Sequence, residues 1–294
     1  MKNSFLDFTI TRPYLSSIVI VLPLFALLVS VGILAGNIFS ENLKQYDFIG
    51  VYSMFIAGQL ALLFVVLCLV RASHTLTLKD FSWNGFGKGM LLGWFVLLIS
   101  ITMLISSIAS VPAEYFIVPR FLPLLIAFIH PFTTAFLEEI WMRGLVLNIL
   151  LRKLGDTRKG VITAVFVSSA IFGFGHIFNI LDPRTEPNLL YMLGFCLFAM
   201  MIGVFYAALY LRTKTLWAPI ILHALFNLPN YIGEAVVSPE GLRYLSEQSA
   251  NDIGGLSNLL VLAIAAPCMI IGLIYLRKYQ WERPNGHDSY DLVK

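Results

Sequence analysis

Two adjacent carboxylates and an arginine lie inside a long apolar stretch of the sequence. Glu138, Glu139 and Arg143 are the only formal charges between residues 121 and 151. A charged side chain at the centre of a bilayer costs about 2.5–3.5 kcal/mol on insertion scales, and more by other estimates. Three charges within six residues of such a stretch therefore predict a functional site.

Helical spacing separates the two carboxylates. Glu139 and Arg143 are four residues apart, so they can pair on one face of a helix. Glu138 points about 100° away from Glu139 and has no partner on its own helix. A buried carboxylate without a partner must bind a proton or find hydrogen-bond donors elsewhere. We therefore expect Glu138 to face polar groups from other helices.

Two further apolar stretches carry suitable polar residues. His176 follows Phe172 by four residues, near the end of one stretch. His223 and Asn227 are one helical turn apart in another stretch, so they share a face. Each of these residues alone has a structural reading, as a packed histidine or as an interhelical hydrogen bond. Together with the spare carboxylate of Glu138, they favour one site at which three helices converge.

The composition is that of a membrane protein. Of 294 residues, 58% are hydrophobic and 13% are charged, whereas soluble domains carry about 25% charged residues. The mean hydropathy of +0.81 excludes a surface that faces mostly water. The net charge of +3 gives no support for a nucleic-acid partner. The lipid bilayer is the expected surroundings of the chain.

Eight apolar stretches approach the roughly 20 residues that a spanning helix needs. They predict an all-α integral membrane fold, a bundle of about eight transmembrane helices in a single domain over residues 1–294. The stretches are 14–36, 49–70, 89–111, 121–151, 160–178, 189–211, 216–232 and 255–276. His130 precedes Pro131 in the fourth of these stretches, and no function is predicted for it.

The distribution of lysine and arginine predicts the orientation. Alternate segments between the predicted helices hold 15 of these residues, and the other segments hold four. Because cytoplasmic loops are enriched in Lys and Arg, both termini are predicted to be cytoplasmic. Residues 277–294 would then form a cytoplasmic tail, and the protein would be a multi-pass protein of the cell membrane.

The polar residues also match a family pattern. Glu138, Glu139 and Arg143 resemble the EExxxR motif of the CPBP (Abi) family of intramembrane proteases, which includes type II CAAX prenyl endopeptidases and bacteriocin-processing or immunity proteins. Phe172 with His176 resembles the FxxxH motif, and His223 with Asn227 resembles the HxxxN motif. The three motifs occur in the family's order, and they make residues 121–232 the predicted catalytic core.

The resemblance implies an endopeptidase that acts on a membrane-associated peptide or protein substrate. Carried over by position, Glu138 and His176 would activate the attacking water. His223 and Asn227 would donate hydrogen bonds to the oxyanion. A supporting set would hold the fourth helix and the site in place: Glu139, Arg143 and Phe172.

The same residues permit a second arrangement. Glu138, His176 and His223 form a two-histidine, one-carboxylate set, which can hold one zinc ion with a fourth position open to water. Members of the family have been described in both ways, and the sequence lacks the HExxH signature of common zinc proteases. The shared face of His223 and Asn227 suits a pair of donors and favours the arrangement without a required cofactor.

Two other functions remain open at this stage. A catalytically silent binding or immunity protein on the same fold would keep the motifs without turnover. A proton-coupled transporter would also place Glu and His inside the membrane, although the sequence shows no repeated halves. Neither the substrate nor its prenylation can be inferred from the residues.

The charge pattern yields a topology test. In a cysteine-free chain, a cysteine introduced at Lys153 should react with a membrane-impermeant maleimide only after the cells are permeabilised. A cysteine introduced at Arg184 should react in intact cells, because that position belongs to the arginine-poor set of segments. The opposite labelling pattern would reverse the predicted orientation.

Overall fold

The computed structural model of the protein describes residues 4–40, 48–118, 121–181, 189–238, 240–241, 244 and 256–277. These residues fold almost entirely into helices, and their one isolated bridge joins Phe116 to Val237. The all-α prediction is therefore confirmed for the described chain. Residues 278–294, most of the predicted tail, lie outside the described ranges.

The helices follow the predicted apolar stretches closely. We number them α1 to α11 in chain order: α1 Ser4–Thr11, α2 Pro13–Ser40, α3 Phe48–Ser73, α4 Phe86–Leu92, α5 Trp94–Ala109, α6 Phe121–Glu139, α7 Asn148–Leu154, α8 Arg158–Gly175, α9 Leu189–Thr213, α10 Trp217–Val236 and α11 Leu256–Arg277. A π-helical segment, Ile140–Leu147, joins α6 to α7, and a 3₁₀ segment, His176–Leu181, follows α8.

Five helical spans among the described residues are long and apolar enough to cross a membrane. The number rises to six if α4 and α5 form one bent span, so the predicted count of eight is not confirmed. In α10, the polar residues His223 and Asn227 lower the hydropathy. The cytoplasmic location of both termini stays a prediction.

The predicted helix 89–111 is broken into two. α4 and α5 meet at Gly93 with a bend of 66°. A Cβ atom at Gly93 would lie 2.2 Å from a Leu222 methyl group, and one at Gly89 would lie 2.3 Å from the Cβ of Ala218. These small residues let α4 lie directly against α10, which carries part of the candidate site.

Span Phe121–Leu154 is one continuous helix in which the hydrogen-bond pattern changes. Its α-helical part ends at Glu139, and all eight residues of the π segment Ile140–Leu147 are buried. π-helical segments are rare and occur frequently at functional sites. The change of pattern comes directly after the two adjacent carboxylates.

Helix α9 is the most buried of the five spans, with 61% of its most apolar window inside the protein. α8 packs on it so closely that a Cβ at Gly173 would lie 2.4 Å from the carbonyl oxygen of Cys196 and 2.8 Å from the amide nitrogen of Met200. A Cβ at Gly203 would lie 3.1 Å from Ser169. α9 is therefore the common support of the helices around the site.

A cluster of polar side chains connects the loop after α3 to the ends of α7, α9 and α10. The Tyr210 hydroxyl donates to Asp80 Oδ1 at 2.7 Å, and Asn148 Nδ2 donates to the Tyr210 oxygen at 3.2 Å and to the Thr75 carbonyl at 3.1 Å. The amide of Leu216 donates to the carbonyl of Asp80 at 2.7 Å. The loop after α3 thus fixes the ends of α7, α9 and α10 relative to one another.

The contact of α8 with α9 predicts a stability difference between two glycine substitutions. Gly173→Ala would push a methyl group into the backbone of α9 and should destabilise the protein by about 1–3 kcal/mol. Gly233→Ala is the matched control: it lies inside α10 with nothing within 4 Å of its Cβ position, so it should be neutral or stabilise by about 0.5–1 kcal/mol. Thermal unfolding in one detergent measures both. Equal melting temperatures would contradict the described packing.

Candidate active site

His223 lies between the two adjacent carboxylates of α6. Its Nδ1 is 2.9 Å from Glu139 Oε1, and its Nε2 is 3.7 Å from Glu138 Oε2. All three residues are buried. A carboxylate accepts hydrogen bonds, so Nδ1 carries the proton that points at Glu139. This contact fixes the ring so that Nε2 faces Glu138.

The predicted pair of Glu139 and Arg143 is present. Arg143 Nη1 lies 3.0 Å from Glu139 Oε1, and Arg143 Nη2 donates to the carbonyl oxygen of Gly203 on α9 at 3.3 Å. The guanidinium also lies over the rings of Phe172 and Tyr206, 5.1 and 5.6 Å from their centroids. These contacts connect α6 to α8 and α9 through a single buried cation.

His176 stands at the end of α8, where the helix tightens into the 3₁₀ segment. Its Nδ1 lies 2.9 Å from the Phe172 carbonyl oxygen, which can only accept. In the neutral ring, Nε2 is therefore the acceptor. Glu138 and His223 lie close enough to interact electrostatically with this ring. The structure thus brings the predicted pair Glu138 and His176 into one region.

Phe172 supports two groups at once. Its carbonyl oxygen accepts from His176, and its ring lies 4.8 Å from the His176 ring at 87° and under the Arg143 guanidinium. Rings of Phe25 and Phe195 also contact His176, at 5.5 and 5.4 Å between centroids. His176 is consequently held by aromatic side chains from three different helices and is half-buried.

Asn227 lies one turn beyond His223 on α10 and is half-buried. Its position on the same helical face is as predicted. The structure brings Glu138, Glu139 and Arg143 together with His223 by direct contact. Asn227 lies on the same face of α10 as His223, one helical turn away.

Tyr206 is a site residue that sequence reasoning missed. Its ring stacks on the His223 ring at 5.2 Å and 22°, and it also faces Arg143. The side chain is fully buried. No motif marks it, because a tyrosine in an apolar helix is an ordinary packing residue. The only available signal was its position one turn after Gly203, where α9 has small residues that allow close approach.

The predicted metal set does not form a ligand cage in this arrangement. Within the described ranges, no group of three His, Cys, Asp or Glu side chains is placed to hold a metal ion. Glu138, His176 and His223 offer suitable donor atoms: Nδ1 of each histidine contacts a carbonyl or carboxylate oxygen, which leaves Nε2 as the nitrogen that could bind a metal. The zinc arrangement stays a prediction.

Comparison with known proteins gives one match. No curated protein and no solved structure matches the chain. A family model described as Type II CAAX prenyl endopeptidase Rce1-like matches residues 119–229. The matched segment is just over a third of the chain and contains all three motifs and every residue of the site described above except Phe25. Over this segment the chain is similar to the Rce1-like type II CAAX prenyl endopeptidases, which confirms the resemblance to the CPBP family and supports a protease.

Proposed function

We propose that the protein is an intramembrane endopeptidase that hydrolyses a peptide bond of a membrane-associated substrate. The observation that carries the proposal is His223, which is held by Glu139 through Nδ1 and faces Glu138 through Nε2 inside the Rce1-like segment. This arrangement gives a base for water on one side and an oriented hydrogen-bond donor on the other, as peptide hydrolysis requires.

In the proposed reaction, Glu138 takes a proton from water as the water oxygen attacks the carbonyl carbon. His176 Nε2 accepts the second hydrogen of that water and orients it, since Nδ1 already donates to the Phe172 carbonyl. The carbonyl oxygen becomes an oxyanion, which accepts hydrogen bonds from protonated His223 Nε2 and from the Asn227 amide. The C–N bond then breaks, and the leaving nitrogen receives the proton held by Glu138.

The supporting residues keep this set electrically balanced. With His223 protonated, Glu138 and Glu139 contribute two negative charges, and His223 and Arg143 contribute two positive charges. Glu139 both pairs with Arg143 and accepts from His223, at 3.0 and 2.9 Å. It therefore holds the imidazole in the orientation that an oxyanion donor needs, as the carboxylate of a catalytic triad does for its histidine.

The proposal places the reaction in the cell membrane. Glu138, Glu139, Arg143 and His223 are buried within the bundle, so the substrate would approach from the bilayer or its surface. A prenylated carboxy-terminal motif is the substrate class suggested by the family description. Unprenylated tails of membrane proteins and secreted precursors are the alternatives that an assay must include.

The central experiment changes Glu138 to Gln, which keeps its shape but cannot accept the proton. Cleavage of prenylated or unprenylated peptides by the purified protein should fall by about 10²–10⁴-fold in kcat, the range for loss of a general base. His176→Ala should also lose most activity. Glu114→Gln, an exposed carboxylate away from the site, is the matched control and should behave as wild type.

Two outcomes would contradict parts of this proposal. Full activity in Glu138→Gln would remove the general base assigned here. If wild type cleaves nothing in the panel and Glu138→Gln has no effect in cells, the silent binding protein is favoured. Elemental analysis of the same samples decides the metal question: about one zinc per active chain, lost in His176→Ala, would establish the zinc mechanism.

The pair of Glu139 and Arg143 predicts a non-additive effect on stability. Arg143→Met leaves the Glu139 carboxylate buried without its cation, and should destabilise the protein by about 3–5 kcal/mol. The double variant Glu139→Gln/Arg143→Met removes both charges and should be more stable than Arg143→Met alone. Thermal unfolding of the single and double variants measures the coupling. Additive losses would mean that the two charges do not stabilise each other.

A further inference from the structure

A cavity of about 250 Å³ lies next to the candidate active site. Thr134, which lines it, is one helical turn before Glu138 on α6, and Tyr231 is one turn after Asn227 on α10. Asn179 follows the histidine at the end of α8 by three residues. The cavity therefore lies one helical turn from the candidate site along α6 and α10, on the side of the site away from α7. Its full lining is Leu28, Val29, Gly32, Tyr52, Phe55, Gln59, His130, Thr134, Asn179 and Tyr231.

Part of the cavity lining is a network of hydrogen-bonded polar side chains. Gln59 Nε2 donates to Thr134 Oγ1 at 2.7 Å, and the Thr133 hydroxyl donates to Gln59 Oε1 at 2.7 Å. The Tyr52 hydroxyl donates to a Glu234 carboxylate oxygen at 2.9 Å. Polar side chains at this depth are costly in lipid and usually mark a pathway or a binding site.

His130 is the residue of this cavity that the catalytic proposal leaves unexplained. It is only 4% exposed, and its ring packs between Tyr52, Phe55 and Tyr231 with centroids 4.7–5.6 Å apart. Within the described ranges its Nδ1 has no hydrogen-bond partner. Buried polar atoms nearly always have a partner, so the hydrogen bonding of His130, a residue of the cavity lining, is not accounted for by the bundle alone.

On the basis of the proposed function, we infer that this cavity is the subsite for the polar peptide backbone beside the scissile bond, with His130 and Gln59 as its hydrogen-bonding groups. A peptide backbone offers one donor and one acceptor at each residue, which complements amide, hydroxyl and imidazole groups. A prenyl chain offers neither, and it would leave the remaining hydrogen-bonding capacity of His130 and Gln59 desolvated. The volume equals that of about eight water molecules at about 30 Å³ each, which suits a short peptide segment.

Thiol labelling tests whether the cavity is a polar chamber. The three native cysteines are changed to alanine, and Thr134→Cys is compared with Phe128→Cys, a 54% exposed residue on the outer face of α6. In lipid nanodiscs, a positively charged methanethiosulfonate should react about tenfold or more faster at position 134, since hydrocarbon excludes a charged reagent. Val29→Cys reports on the same cavity from α2. Rates at both cavity positions no faster than at position 128 would overturn the inference.

A competition experiment identifies which part of the substrate occupies the cavity. In the Glu138→Gln background, an unprenylated peptide that contains a sequence cleaved by wild type should slow the labelling at position 134 severalfold. A prenylcysteine methyl ester, which carries the lipid without the peptide, should leave the rate unchanged. Protection by the prenylcysteine ester alone would assign the cavity to the lipid chain and overturn the inference. Rapid labelling that no peptide slows would also overturn it.

Kinetics of His130 variants test the hydrogen bond itself. His130→Phe keeps a ring among the aromatic neighbours but removes both nitrogens, so KM should rise by about three- to tenfold with kcat nearly unchanged. His130→Gln restores a donor and an acceptor and should recover part of the loss. A fall in kcat without a change in KM, or no change in either, would contradict the assignment. Loss of cleavage in Glu138→Gln tests the protease proposal separately, so the two can fail independently.

Discussion

The site depends on keeping two adjacent carboxylates buried in an apolar bundle. Glu139 is stabilised by Arg143 and by His223 together, and Glu138 shares the same imidazole at 3.7 Å. Without the cation and the histidine, two neighbouring carboxylates would be buried with no group to offset their charge. The span that carries Glu138, Glu139 and Arg143 must therefore stay in register with α10, because a small displacement of α10 would take His223 away from the buried carboxylates.

The other helices of the bundle hold α6 and α10 in this register. α9 offers the Gly203 carbonyl to Arg143 and the Tyr206 ring to His223. The close approach at Gly173 holds α8 against α9, and α8 in turn presents His176 at its end. The close packing of glycine against neighbouring backbone is thus what places side chains from separate helices within a few ångströms of one another.

Helical periodicity predicted much of this arrangement. The four-residue spacing predicted the pair of Glu139 and Arg143, and the cost of charge in lipid predicted that the motifs converge. The double role of His223 could not be read from spacing, because it depends on the rotation and depth of α10 relative to α6. The π segment after Glu139, the break at Gly93 and the ring of Tyr206 also arise from packing between helices, which leaves no local pattern in the sequence.

The cavity beside the site is also a consequence of helical spacing, and its lining bears on the substrate. Side chains four residues apart lie on the same face of a helix. Thr134 therefore shares a face of α6 with Glu138, and Tyr231 shares a face of α10 with Asn227, so both line the cavity beside the candidate site. Leu28, Val29 and Phe55 line part of the cavity, and the rest of it holds amide, hydroxyl and imidazole groups, which cost more to bury than apolar side chains. Polar groups beside the candidate site favour an occupant that can form hydrogen bonds with them, and within a bilayer the peptide backbone is the part of a substrate that needs such partners most.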